Sequence, residues 1–153
     1  MNIIYDALAE QPFFEGFSER ELQRLSQCAR RSMFHGGAQI FEEGGRADRF
    51  WVIQRGAVRL YAHVPAKGDV PVETLGAHAV LGWSWLFHPY RWNFTATAVE
   101  NTHTVEFNAA RVREMCDSEP EFGYELTRRF MKVIANRLRH TRRRLVDLYE
   151  VAT

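Results

Sequence analysis

Between Ala29 and Phe107 the chain is interrupted by glycine at short intervals, and the runs between the glycines are short and apolar. Ser32-Met33-Phe34 leads into Gly36-Gly37, and Gln39-Ile40-Phe41 leads into Glu42-Glu43-Gly44-Gly45. Arg49-Phe50-Trp51-Val52-Ile53 turns at Arg55-Gly56 into Val58-Arg59-Leu60-Tyr61. After the polar turn Lys67-Gly68-Asp69, residues 70–75 read as a strand, and two more follow near 93–99 and 102–107. Val58 and Leu60 alternate with Arg59 and Tyr61, the period of a strand with one buried face. Short strands joined by glycine turns point to a β-barrel or jelly roll.

Helical stretches flank this region. Ser18, with Glu21 three residues on, forms a capping-box signature ahead of Leu22 and Leu25. Phe13, Phe14 and Phe17 are expected to fold back onto the core. Asn108 caps a short helix running to about Cys116, and Pro120 fits the first turn of another. From there to about Tyr149 only Gly123 interrupts, so that helix is about 45 Å long at 1.5 Å per residue. The length of 153 residues suits one domain. It divides into N-terminal helices (1–28), a β jelly roll (29–107) and C-terminal helices (108–153).

The long helix carries two apolar stripes. Met131, Ile134, Leu138, Thr141, Leu145 and Leu148 follow heptad spacing. Leu126, Phe130 and Val133 form a second stripe that can pack on the chain's own barrel. Two apolar faces imply a parallel homodimer through the first, or both faces packed within one subunit. Between Thr127 and Val146 the helix also bears Arg128, Arg129, Lys132, Arg137, Arg139, Arg142, Arg143 and Arg144, with no acid. This run reads as phosphate binding or as a solvated face paired with acids such as Glu42, Glu43 or Asp48. No recognition helix accompanies it, so sequence-specific DNA reading is not expected.

Composition narrows the function classes. The net charge of +1 gives no global attraction to nucleic acid or membrane. The N-terminus lacks the pattern of a signal peptide, and no apolar run is long enough to span a bilayer. A cytoplasmic protein is expected. Cys28 and Cys116 fit no metal spacing. His35, His63, His78, His88, His103 and His140 are scattered, without the convergent ligands of a metal-binding barrel. His35 near Glu42 is the nearest candidate. No nucleophile–base set is visible, so no enzyme activity, metal or cofactor is expected.

One segment has the outline of a ligand cradle. In Leu75-Gly76-Ala77-His78-Ala79-Val80-Leu81-Gly82-Trp83-Ser84-Trp85-Leu86 a strand end meets a glycine turn and then a short helix with free N–H groups. Trp83, Trp85, Phe87, Tyr90, Trp92 and Phe94 crowd into and just beyond it. The candidate pocket comprises Gly82, Trp83, Ser84, Trp85, Leu86, Arg91, Trp92, Asn93 and Phe94. Either these aromatics fill the pocket themselves, or they form a site for a flat or apolar effector with Arg91 as a polar anchor.

The segments Ile40-Phe41-Glu42-Glu43-Gly44, Ala47-Asp48-Arg49-Phe50-Trp51-Val52-Ile53 and Arg55-Gly56-Ala57-Val58-Arg59-Leu60-Tyr61, with Leu75-Gly76, Leu81-Gly82 and Leu86, resemble the cyclic nucleotide-binding domain of Crp/Fnr-like regulators. The likeness covers about residues 13–150. It implies a double-stranded β-helix (jelly roll) barrel, mainly β with flanking helices, plus a long C-terminal dimerisation helix. It also implies a phosphate-binding cassette, in which a glutamate holding the ribose follows a glycine, and an arginine neutralises the cyclic phosphate. Gly82 matches the glycine, but Trp83 stands at the glutamate position and Trp92 at the arginine position. Arg91 is one residue off, and a one-residue slip in a strand turns a side chain to the other face. Each lost charge-assisted contact costs roughly 1.5–3 kcal/mol, so cyclic AMP binding in the usual way is not expected. The chain stops before the family's helix-turn-helix, so a standalone domain is expected. The expected function is a non-catalytic regulatory or sensor domain. The alternatives are a ligand-free dimeric interaction module with an unknown protein partner, or a binder of cyclic nucleotide or another small effector through a modified pocket.

Overall fold

The computed structural model describes residues 2–152. Eight strands build two four-stranded antiparallel sheets. One runs β1 (Ala29–Phe34), β8 (Thr102–Asn108), β3 (Arg49–Arg55), β6 (Val80–Leu81). The other runs β2 (Gln39–Phe41), β7 (Thr95–Ala98), β4 (Val58–Val64), β5 (Gly68–Leu75). Strands of the two halves of the chain interleave in each sheet, which is the jelly-roll arrangement the glycine rhythm predicted. β5 starts earlier than the apolar run suggested, because pairing with β4 continues down to Val64 opposite Gly68. β7 is shorter than expected. Asn93 and Phe94 fall outside it, in the loop that leads to the cassette.

The turn from β3 into β4 needs glycine. Gly56 has φ +111°, and a Cβ there would lie 2.5 Å from Thr102 Oγ1 and 2.8 Å from the Asn101 carbonyl. Thr102 Oγ1 in turn accepts from the Ala57 amide at 3.2 Å, tying the two turns together.

The first 28 residues hold two helices, α1 (Ile3–Ala9) and α2 (Glu19–Gln27), with a 3₁₀ turn at Pro12–Phe14 between them. The capping box forms: the Glu21 amide donates to Ser18 Oγ at 3.1 Å, and the Ser18 amide donates to Glu21 Oε1 at 2.9 Å. Two more helices close the chain. α3 (Ala109–Ser118) is capped by Asn108, whose side chain accepts from the Arg111 amide. α4 (Pro120–Ala152) has 33 residues and is about 50 Å long. No helix among the described residues is long and apolar enough to cross a membrane.

Helices and barrel meet through aromatic rings. Phe50 of β3 stacks on Phe107 at 4.5 Å and on Trp85 at 4.7 Å between centroids. Phe130 of α4 sets its edge against Phe50 and Trp85, each at 5.2 Å, and against Phe13 at 5.1 Å. Phe14 reaches Phe107, and Phe17 reaches Phe122, so the three N-terminal phenylalanines do fold back. Leu126 and Phe130 are fully buried and Val133 packs at the edge of the same cluster, so this stripe of α4 faces its own barrel.

Phe130 therefore anchors the long helix. Replacing Phe130 with Ala is expected to cost about 3–5 kcal/mol, read as a lower urea midpoint at unchanged slope. A loss below 1 kcal/mol on the scale of a surface change would show that α4 is held elsewhere.

Candidate functional site

β6 ends at Leu81, and Gly82 takes φ +95° to reverse the chain. The helix expected after it is a single 3₁₀ turn, Ser84–Leu86. Its Leu86 and Phe87 amides already donate to the Trp83 and Ser84 carbonyls at 3.0 and 3.4 Å. The cradle of free N–H groups is thus smaller than the sequence suggested. A two-residue connection into a tight turn leaves no room for a longer helix before Pro89.

Trp92 fills the space above Gly82. A Cβ on Gly82 would sit 2.9 Å from both Cζ3 and Cη2 of the indole. The indole stacks on Phe41 at 3.9 Å with 15° between planes, and tilts against Trp51 at 5.9 Å. Its backbone is clamped on both sides: the Trp92 amide donates to the Gly45 carbonyl and the Gly44 amide to the Trp92 carbonyl, each at 2.9 Å. That ladder fixes which face each residue takes. Trp92 points inward and is 5% exposed. Arg91 is exposed, opposite Arg46 across an isolated bridge.

Gly82, Trp83, Ser84, Trp92, Asn93 and Phe94 line one common space, with Phe41, Leu60 and Leu81 behind them. Phe94 meets Trp83 edge-on at 6.1 Å, and Asn93 Nδ2 donates to the buried Ser84 Oγ at 3.4 Å. The volume left is only about 10 Å³, room for one water molecule. Three candidates lie elsewhere. Trp85 is fully buried in the helix–barrel core, where its indole Nε1 lacks a hydrogen-bond partner. Leu86 packs against the core. Arg91 faces outward, as the slip in register predicted.

One residue at this site was not singled out in the sequence. Arg137 comes from α4, within the basic run, yet it is 9% exposed. Its Nη2 donates to the Val80 carbonyl at 2.7 Å, its Nε lies 3.4 Å from Glu73 Oε2, and its guanidinium stands 4.9 Å from the Trp83 ring centre. Burial lowers its pKa, and the Glu73 carboxylate works against that shift. The available signal was its place four residues after Val133, continuing the barrel-facing stripe. The rest of the basic run also pairs differently from expectation. Arg129 and Arg128 meet Glu125 at 3.1 and 3.7 Å, and Arg144 reaches the Val72 carbonyl. Glu42, Glu43 and Asp48 form none of these ion pairs. Glu43 instead accepts from the His63 amide.

The outer stripe of α4 is open. Met131, Leu138, Leu145 and Leu148 are 54–70% exposed. Thr141 is exposed among them and Ile134 is half-buried. Among the described residues no group of three His, Cys, Asp or Glu side chains converges to hold a metal, at His35 and Glu42 or elsewhere.

Residues 31–119 match the cyclic nucleotide-binding domain family. The chain belongs to that family. A CRP-like cAMP-activated global transcriptional regulator of Mycobacterium tuberculosis is 26% identical over 143 residues, 94% of this chain. The match spans 62% of that regulator's length. A putative cyclic nucleotide-binding protein from Geobacter metallireducens superimposes with TM-score 0.79 at 25% identity, covering 90% of this chain and 99% of the other. A cyclic nucleotide-binding domain from Methylobacillus flagellatus gives TM-score 0.79 at 19% identity, covering 94% and 81%. This cyclic nucleotide-binding domain thus keeps the family's barrel and its cassette turn, with tryptophan at two positions facing the pocket.

Gly82 tests the packing directly. Gly82→Ala places a methyl group in a positive-φ backbone and against the Trp92 indole, a loss of about 2–4 kcal/mol. The expected result is a clear drop in Tm. An unchanged Tm would mean that Trp92 does not rest on this glycine.

Proposed function

We propose that this is a non-catalytic regulatory domain whose cassette does not take up cyclic AMP in the family's usual way, and which acts as a homodimer through α4. The observation that carries the reading is the seated Trp92 indole. A cyclic nucleotide would need that volume, and the remaining 10 Å³ cannot supply it. The charges are also misplaced. Trp83 offers no carboxylate to a ribose, and Arg91 turns away from the pocket. Binding would require displacing Trp92 from Phe41 and then burying a phosphate with no cation facing it except Arg137, already paired with Glu73.

A second reading rests on the mouth of the same space. Arg137 and the exposed Asn93 stand beside Trp83 and Phe94, so polar handles flank apolar walls. An effector smaller and flatter than a nucleotide could displace Trp92 and use them.

Isothermal titration with cyclic AMP and cyclic GMP tests the first reading. No heat of binding is expected in the low-micromolar range, with Trp emission unchanged. Low-micromolar binding of either nucleotide would sink the proposal.

The stripe Met131, Ile134, Leu138, Thr141, Leu145 and Leu148 supports the dimer, because heptad-spaced apolar side chains left in water are stabilised by pairing with a second helix. Leu138→Glu is expected to convert a dimer to a monomer in sedimentation equilibrium with helix content retained. An unchanged assembly state would place the interface elsewhere.

A further inference from the structure

Two cavities adjoin on the side of the barrel where α2 ends, β1 and β3 begin, and α3 starts. They enclose about 270 and 330 Å³ and share Gln27, Cys28 and Arg111 as walls. The backbone there is stitched together: the Asn108 amide donates to the Cys28 carbonyl at 2.8 Å, and the Ala109 amide to the Asp48 carbonyl at 3.1 Å. The walls are therefore formed by regular elements rather than by a free loop.

Their charge is out of balance in a particular way. Glu106 on β8 is almost fully buried, and both its oxygens are occupied. Oε1 accepts from Trp51 Nε1 at 2.9 Å, and Oε2 accepts from Arg30 Nε at 2.6 Å. Arg49 stands 3.5 Å from the same Oε2. One carboxylate thus meets an indole and one nitrogen from each of two guanidinium groups. The terminal nitrogens of Arg30, those of Arg49 beyond that one contact, and the Arg111 guanidinium are open to solvent, with no acceptor among the described residues. Arg24 also lines the second cavity, but it is bonded to Glu119, which takes Arg20 as well. Glu114, at the far wall of the second cavity, is the other acid there.

We propose that the first of these cavities is an anion site, separate from the cassette, which takes the phosphoryl group of a small phosphate ester while the adjoining cavity holds its organic part. Arg30, Arg49 and Arg111 offer planar, always-charged forks to phosphoryl oxygens. Glu106 fixes Arg30 and Arg49 from behind without consuming their outer donors. Glu114 lines only the adjoining cavity, where it can meet hydroxyl or amine groups of the ester. The combined space is in the range of small-ligand sites.

Cys28 lines both cavities, so its reactivity reports their occupancy. Burial raises its thiol pKa, Arg111 and Arg24 work against that, and Glu114 adds to it. Cys116 is pushed up to about 11 by burial, with Asp117 adding to it, and Cys116→Ala removes it from the assay. In that background, glycerol 3-phosphate is expected to slow iodoacetamide labelling of Cys28, with a sodium chloride series at matched ionic strength as control. Arg111→Ala leaves the Glu106 contacts in place and is expected to weaken the protection about ten-fold or more. Arg111→Lys is expected to restore part of it. No protection at millimolar ester, or equal protection in the Arg111→Ala protein, overturns the site. Equal protection by inorganic phosphate overturns the assignment of an ester.

Discussion

The contact on which the pocket depends is the flat packing of the Trp92 indole between Phe41 and Gly82. It has no polar component. Its strength comes from the removal of two large aromatic surfaces from water and from close contact over a backbone without a side chain. Gly82 must be glycine twice over, for its positive φ and for its distance to the indole. The backbone turn at Gly82 thus sets where the Trp92 indole lies.

Arg137 extends that arrangement to the long helix. Through one guanidinium, α4 is joined to the last residues before the cassette glycine, to β5 through Glu73, and to the face of Trp83. Phe130, two turns earlier on the same stripe, joins α4 to the barrel core. The outer stripe of the helix is thus presented at a fixed angle by contacts made within one chain.

Much of the fold was legible because it depends on local periodicity. Glycine turns, two-residue alternation, the Ser18–Glu21 capping box and the two heptad-related stripes each rest on interactions between near neighbours. Their positions follow from spacing alone. Element ends were less legible. β5 runs back to Gly68 because β4 supplies partners for it, and β7 loses Asn93 and Phe94 because the loop carrying Trp92 is tied to Gly44 and Gly45 instead. The site was half legible. The two tryptophans at pocket positions follow from the family resemblance, and the outward turn of Arg91 from its one-residue slip in register. Trp85 was misplaced, since a single 3₁₀ turn rotates it into the helix–barrel core.

By itself the sequence determined the jelly roll and its helical flanks, because each is fixed by residue type at a given spacing, and its resemblance to the family marked Trp83 and Trp92 as standing where charges are usual. Only the tertiary structure decided that the Trp92 indole lies over Gly82 and that Arg137 lines the same space. It also decided that Arg30 and Arg49 meet at the buried Glu106, with Arg111 lining the same hollow. The physical reason is common to all three. Cavity volume and the pairing of charges depend on which side chains from distant segments reach the same point, and spacing along the chain carries no record of that.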